Sequence, residues 1–428
     1  MSSYSSKLER LGAAALGRRA RRRFSSTSSG EPSHDDAPSL DELRARIAAI
    51  LAKAPRAHAS APEAIGGDLP FAPEQTPFGV LWVRTKRLGP AHRMGRASVS
   101  AAAVASAEML ALLALDPALA TRDPCRALYV DTETTGLAGG AGTVPFLIGF
   151  GRFQPETQAL VIEQLFLRQM GEEAPMLERL ATRLGEASMV VSFNGKSFDL
   201  PLLRTRFVLH RMEPPPDVPH LDLLHVARRI HRHRMTEFRL AALESRVLGF
   251  ERTADIPSSE IGSLYAHFLR TGDGAAIEAV TDHNEWDIVA MVALSGLYGE
   301  PLCGLTPTDW IGVARTLRRA GSLELAERVA DRAVELGAGH EAVRARGEIA
   351  RARGDKAKAI VSFASLVDEV DDPSLRLSLA KLYEHHARSP LAALELVHRG
   401  TGESPQATAR RIQRLEAKRD RAAKRPHR

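Results

Sequence analysis

Cysteine is almost missing from this chain. Its two cysteines, Cys125 and Cys303, are far apart and follow no metal-ligand spacing, which excludes a disulfide framework and points to a reducing, cytoplasmic setting. Aromatic residues are also scarce, at 5% of positions. Base stacking therefore has few candidates: Phe146 and Phe150 read as core, and Trp286 as core or as a stacking wedge. No apolar run reaches the roughly 20 residues of a membrane helix. The nearest, Ala101 to Leu115, is short, Ala-rich and interrupted by Ser and Glu, so no membrane is expected. The N-terminus has neither an apolar signal core nor a cleavage site, which argues against secretion. What the chain does have is length, 428 residues with 44% hydrophobic content, enough for two domains and a large core. Its net charge of +6 suits a polyanionic partner, with much of the excess in the tails.

Five segments are expected. Residues 1–54 read as a basic, Ser-rich and largely disordered tail, with a short helix at Asp41 to Ala52 that Ser39 caps. Such a start also resembles an organellar transit peptide, a reading that Glu9 weakens. Residues 55–123 read as a Pro- and Ala-rich linker as far as Pro77, then an extension with a strand at Phe78 to Val83 and the basic run Arg84 to Arg87. Residues 124–299 hold the central domain. Residues 307–400 turn to Ala, Arg, Glu and Leu in helical spacing, and 401–428 form a basic tail, either a nucleic-acid contact or plain disorder.

The central domain is organised around Asp131-Thr132-Glu133-Thr134-Thr135-Gly136-Leu137, which follows the buried-strand run Ala127 to Val130. Residues two apart on a strand share a face, so Asp131 and Glu133 bring two carboxylates together. A hard divalent cation between them relieves the repulsion. Strand-like runs follow at Thr143 to Phe153 and Ala159 to Leu167, then helices alternate with strands. Three hairpin-linked strands followed by that alternation predict a mixed sheet flanked by helices.

Two further elements carry chemistry. Asn194-Gly195-Lys196-Ser197-Phe198-Asp199 follows the apolar strand Met189 to Phe193, and Asp199 falls in the first turn of the next helix, where the dipole favours a carboxylate. His283-Asn284-Glu285-Trp286-Asp287 opens a helix that continues through Ile288, Val289, Met291, Val292 and Leu294. A spacing of four places His283 and Asp287 on one helix face.

In that order, D-T-E-T-T-G-L, N-G-K-S-F-D and H-N-E-W-D resemble the three motifs of the DEDD superfamily of ribonuclease-H-like 3′-to-5′ exonucleases, and more closely its bacterial YprB-type branch. The segments Pro219 to His225, Arg228-Arg229, Leu243-Glu244 and Asp255-Ile256-Pro257 carry the same resemblance, as does the opening Ser6 to Leu11. It covers about Phe78 to Leu297. It implies an α/β ribonuclease-H-like mixed sheet flanked by helices, here followed by an all-α helical-repeat region. It also implies that Asp131, Glu133, Asp199 and Asp287 hold two divalent cations, Mg²⁺ or Mn²⁺, about 4 Å apart, and hydrolyse nucleic acid, RNA or DNA, from a single-stranded 3′ end. The superfamily's histidine branch places its His five residues before the last Asp, whereas His283 is four before Asp287, the tyrosine branch's spacing. His283 is therefore either a general base or a group that orients water. Asn194, Thr134, Arg228 and Arg229 are the expected substrate contacts, and Asp222 an extra acid behind the site.

Arg228, Arg229, Arg232 and Arg234 alternate with His220, His225, His231 and His233. A zinc site there lacks cysteines and a known spacing, leaving phosphate contact or a solvated charged face as the two readings. Gly321 and Gly354 are 33 apart, and Ala326 to Ala333 aligns with Ala359 to Leu366. With a more divergent third unit at Leu375 to Val397, the period resembles tetratricopeptide repeats, a platform for a protein partner, or a plain bundle. An exonuclease thus competes with a nucleic-acid-binding scaffold whose repeats recruit a partner; the presence of all four acids favours the enzyme.

Overall fold

The computed structural model describes residues 69–136, 142–253 and 255–423. The expected tail at 1–54 with its helix at Asp41 to Ala52, the linker before Leu69, Leu137 and the last five residues lie outside them. Among the described residues, no helix is long and apolar enough to cross a membrane.

A seven-stranded mixed sheet is the frame. Its strands are β1 (Ala72–Thr76), β2 (Gly79–Leu88), β3 (Ala127–Thr134), β4 (Pro145–Gln154), β5 (Ala159–Phe166), β6 (Met189–Ser192) and β7 (His220–Asp222), in the order β1-β2-β5-β4-β3-β6-β7. The pairs from β1 across to β3 are antiparallel, and β3, β6 and β7 are parallel. The mixed sheet with flanking helices is the fold the sequence pattern indicated. The sheet is wider than expected, because β1 lies in the stretch read as linker and β2 continues to Leu88. Pro73 fits there because an edge strand leaves one row of N–H groups unpaired. The basic run after Val83 also finds its purpose: Arg84 donates to Gln164 and Lys86 to Glu285, tying β2 to the neighbouring strand and to a helix.

The longer helices of this part are α1 (Ala107–Ala114), α2 (Ala174–Glu186), α3 (Asp199–Leu209), α4 (Leu223–His231), α5 (Ser258–Thr271) and α6 (Ala275–Gly299). Helix α2 buries Met176, Leu177, Leu180 and Leu184, a stripe at helical spacing. Strand β3 is covered on both faces. Leu128 and Val130 pack in a core with α2 and α5, whereas Ala127 and Tyr129 pack in a second core with the C-terminal half of α6. By alternation, Asp131 and Glu133 share the face of Tyr129, under α6. Two glycines of β4 let α6 come close: a methyl group on Gly149 would overlap the Asn284 side chain and lie 2.6 Å from Ile288 Cδ1, and one on Gly151 would lie 2.6 Å from Ile288 Cγ2.

The remainder is helical: α7 (Pro307–Arg319), α8 (Leu323–Glu335), α9 (His340–Arg353), α10 (Lys356–Ala364), α11 (Pro373–Leu382), α12 (Pro390–His398) and α13 (Pro405–Ala423). Gly321 and Gly354 take left-handed conformations, and Arg388, 34 residues beyond Gly354, takes the same one. The 33–34-residue spacing therefore marks successive turns between paired helices. Ala326, Ala333 and Ala359 are fully buried, as small packing residues should be.

Candidate metal centre

The parallel strands β3, β6 and β7 end side by side, and such carboxyl ends are where open α/β sheets place ligands. Asp131 and Glu133 stand near the end of β3. Asp199, in the first turn of α3, reaches it from the other side and accepts a hydrogen bond from Thr132 Oγ1. Helix α6 brings Asp287 and His283 from above. The imidazole Nε2 of His283 is 3.9 Å from Glu133 Oε1 and 3.7 Å from Asp287 Oδ2. One ligand atom each from Glu133, His283 and Asp287 lie within 4.8 Å of one another.

The four acids feel one another. Burial and then the charges of Asp287 and Asp199 push the Asp131 carboxyl well above its ordinary range. Burial and then Asp131, Asp287 and Asp199 do the same to Glu133. Asp199 is pushed up to about 6, mainly by burial, with Asp222 and Asp287 adding to it and the Thr132 hydrogen bond opposing it. Buried carboxylates that raise one another's pKa, with an imidazole nitrogen among them, form a donor set that fits divalent cations.

The supporting groups were less visible in the sequence. Asn284 is fully buried; its Nδ2 donates to Asp131 Oδ2 at 2.7 Å, and its Oδ1 accepts from Gln164. Asp222 ends β7 and caps α4 through Leu224 N, and its two oxygens also accept from Asn194 N at 2.9 Å and Lys196 N at 3.1 Å. Its carboxylate therefore holds the Asn194 loop in shape. Asn194 takes a left-handed conformation with φ +66°, which asparagine tolerates better than most residues. Arg252, which the sequence reading passed over, is buried between acids. It donates through Nε to Glu244 Oε2 at 2.6 Å and through Nη2 to Asp287. Asp255 Oδ1 lies 2.7 Å from His283 Nδ1. Glu244 and Asp255 sit in two of the linking segments that carried the family resemblance, the one signal that could have flagged them.

Beside the centre is an open cleft of ≈ 1030 Å³ whose lining includes His283, Asp287, Asn194, Arg228, Arg239 and Arg246. The His and Arg cluster divides here. Arg228 faces the cleft, but Arg229 donates to the Leu113 carbonyl at 3.0 Å and is half-buried away from it. His231 is fully buried, with Nδ1 2.9 Å from Asp309 Oδ1 and Nε2 3.0 Å from the Tyr298 hydroxyl, and Arg234 donates to the same Asp309. His220 is bonded to Ser192. Much of the cluster read as either a phosphate contact or a solvated charged face is thus internal structure joining α4 to α6 and α7. Thr134, an expected substrate contact, is buried and donates its hydroxyl to the Gly136 carbonyl, closing the turn after β3. Phe146 and Phe150 are core, and Trp286 is partly buried beneath the Arg252 guanidinium.

Known proteins resemble this chain as follows. Residues 128–298 match the family RNase_H_2, of the RNase_H superfamily. The uncharacterized protein YprB of Bacillus subtilis (strain 168) is 36% identical over 168 residues, a match that spans 39% of this chain and 40% of the length of that protein. The family B DNA polymerase of the hyperthermophilic archaeon Pyrobaculum calidifontis superposes with a TM-score of 0.33 at 14% identity, over 54% of this chain and 29% of that one. That likeness is too slight to inform fold or function. The match across 128–298 leads to one assignment: these residues carry an RNase_H superfamily domain.

Proposed function

We propose that the chain is a metal-dependent nuclease that removes nucleotides from the 3′ end of a nucleic acid. One observation carries the reading: the carboxyls of Asp131, Glu133 and Asp199 are raised by burial and by the charges around them, that of Asp287 among these, beside a cleft whose lining includes Asp287 and several arginines. Two divalent cations, Mg²⁺ or Mn²⁺, would supply activation of the attacking water and neutralisation of the leaving 3′ oxygen. Asp131, Glu133, Asp199 and Asp287 hold them. Asn284 keeps the Asp131 carboxylate oriented, and Asp222 fixes the loop that carries Asn194. Asn194 and Arg228 position the substrate backbone from the cleft wall, with Arg239 and Arg246 as further phosphate contacts. His283 belongs to the reacting set because its Nε2 faces the space between Glu133 and Asp287.

The test uses single-stranded RNA and DNA labelled at either end. Trimming from the 3′ end shortens the 5′-labelled strand step by step and releases the 3′ label at once as a mononucleotide. Internal fragments, or cleavage of a circular strand, would instead mean an endonuclease. A second reading, a nucleic-acid-binding scaffold whose helical region recruits a protein partner, draws support from the Arg252 guanidinium, which already pairs with Asp287. It requires tight nucleic-acid binding with no degradation in Mg²⁺ or Mn²⁺.

A further inference from the structure

His283 is 5% exposed, and its two ring nitrogens have different surroundings. Nδ1 lies 2.7 Å from Asp255 Oδ1. A carboxylate only accepts, so Nδ1 carries the proton. The Arg252 Nη1 at 3.3 Å from the same nitrogen is then a neighbour and not a donor to it. With the proton on Nδ1, the lone pair of Nε2 points into the space bounded by Glu133 Oε1 at 3.9 Å and Asp287 Oδ2 at 3.7 Å. Those separations are too long for hydrogen bonds. Three ligand atoms, one each from Glu133, His283 and Asp287, thus converge within 4.8 Å of one another, close enough for one cation to be held by all three. A histidine that binds metal through one nitrogen while donating the other N–H to a carboxylate is the recurrent way proteins fix the ring for coordination.

We propose that His283 is itself a metal ligand. With Glu133 and Asp287 it forms a mixed nitrogen–oxygen site, oriented by Asp255, that takes a first-row transition-metal cation in preference to Mg²⁺. This rests on the metal-dependent reading above and deepens it: one of the two cations has an imidazole in its coordination shell. The chemistry follows from the donors. Mg²⁺ takes oxygen ligands in strict octahedral geometry and gives up water reluctantly, whereas imidazole suits the transition metals and carboxylates suit Mn²⁺. Asp255 is a positioning residue in this account. It acts by holding the ring through the His283 Nδ1 contact at 2.7 Å.

The experiment uses the full chain with Mn²⁺ as probe. Pulsed electron paramagnetic resonance of the Mn²⁺-loaded protein is expected to show the ¹⁴N coupling of a directly bonded imidazole, and His283→Gln to lose it. Competition against Mg²⁺, read from the free Mn²⁺ signal, is expected to show wild type favouring Mn²⁺ and His283→Gln weakening Mn²⁺ binding by about 10- to 100-fold while Mg²⁺ binding changes little. Asp255→Ala is expected to weaken Mn²⁺ binding, and Asp255→Asn to recover part of it, because the amide oxygen still accepts the Nδ1 proton. Circular dichroism confirms that each variant is folded. Bound Mn²⁺ without ¹⁴N coupling in the wild type would overturn the inference and leave the nuclease reading intact. ¹⁴N coupling in a protein that degrades no nucleic acid would do the reverse.

Discussion

Asn284 Nδ2 donates to Asp131 Oδ2 at 2.7 Å, joining helix α6 to strand β3 across 153 positions of the chain. The bond sits one residue from His283 and three from Asp287, so it sets the height at which α6 presents both. It also favours the charged form of Asp131 against the burial that raises its pKa. Replacing Asn284 by Ala removes a buried amide that also serves Gln164. Stability is expected to fall by about 1–3 kcal/mol. Nuclease activity is expected to fall by about 10- to 100-fold, as for other groups that orient a metal ligand. Denaturant titration and initial rates on a labelled strand check the two effects, and full activity in the variant would contradict the role given to this bond.

Gly149 makes a second demand on the same contact. A side chain there meets Asn284 and Ile288 on α6, so Gly149→Val must push the helix away from the sheet. Overpacking of this kind costs about 1–3 kcal/mol. Activity is expected to fall further than stability does, because Asp287 rides on the displaced helix. An equally bulky change on a distant surface strand serves as the control.

Metal removal has a pH signature. Asp199 is pushed up to about 6 from 3.8, mainly by burial, and Asp131 and Glu133 are raised as well. A carboxyl whose folded-state pKa lies above its unfolded one stabilises the fold while protonated, and that contribution disappears as pH rises through the folded value. The chelated protein is therefore expected to lose stability between about pH 4 and pH 7. A cation replaces those protons, so the rise in Tm on adding Mn²⁺ should be larger at about pH 8 than at about pH 5. Thermal melts with chelator or Mn²⁺ across this range check it. An equal or greater gain at the acid end would be the contrary result.

Asp309 tests the join between the sheet domain and the helical region. It is fully buried and accepts from His231 and Arg234. Burial pushes its carboxyl up, but the hydrogen bonds from His231 and Arg234 outweigh this and hold it well below the ordinary range. Asp309→Ala leaves both partners without their acceptor and is expected to cost about 3–5 kcal/mol. Arg234 also donates to the Arg246 carbonyl at 3.2 Å, so below the melting transition any loss of nuclease rate is expected to be small and to appear in KM rather than in kcat.

The parts of this molecule that the sequence disclosed are those with a short-range pattern. The two-residue spacing of Asp131 and Glu133 and the four-residue spacing of His283 and Asp287 both turn local periodicity into a direction, and the family resemblance ordered the motifs. Three things stayed hidden for physical reasons. Strand β1, Ala72-Pro73-Glu74-Gln75-Thr76, is an edge strand with a Pro and a single β-branched residue, so neither β-propensity nor alternation announced it. Arg252 has one partner, Asp255, three positions away, but its two shorter contacts, to Glu244 and Asp287, lie 8 and 35 positions away, and no local pattern encodes those. The arginines and histidines of 220–234 looked like one basic face, but helix α4 is packed on more than one side, so charge density gave no hint that His231 and Arg229 point inward.

The most direct test concerns Asp287, the acid most distant in sequence from the strand-borne pair. Degradation of a 5′-labelled single strand by purified protein is measured in Mg²⁺ and Mn²⁺, with chelator, and for Asp131→Asn and Asp287→Asn. The expected result is stepwise shortening by the wild type that stops with chelator and with either substitution. Shortening that continues at the wild-type rate in Asp287→Asn would contradict the claim that these carboxylates act together on one phosphodiester.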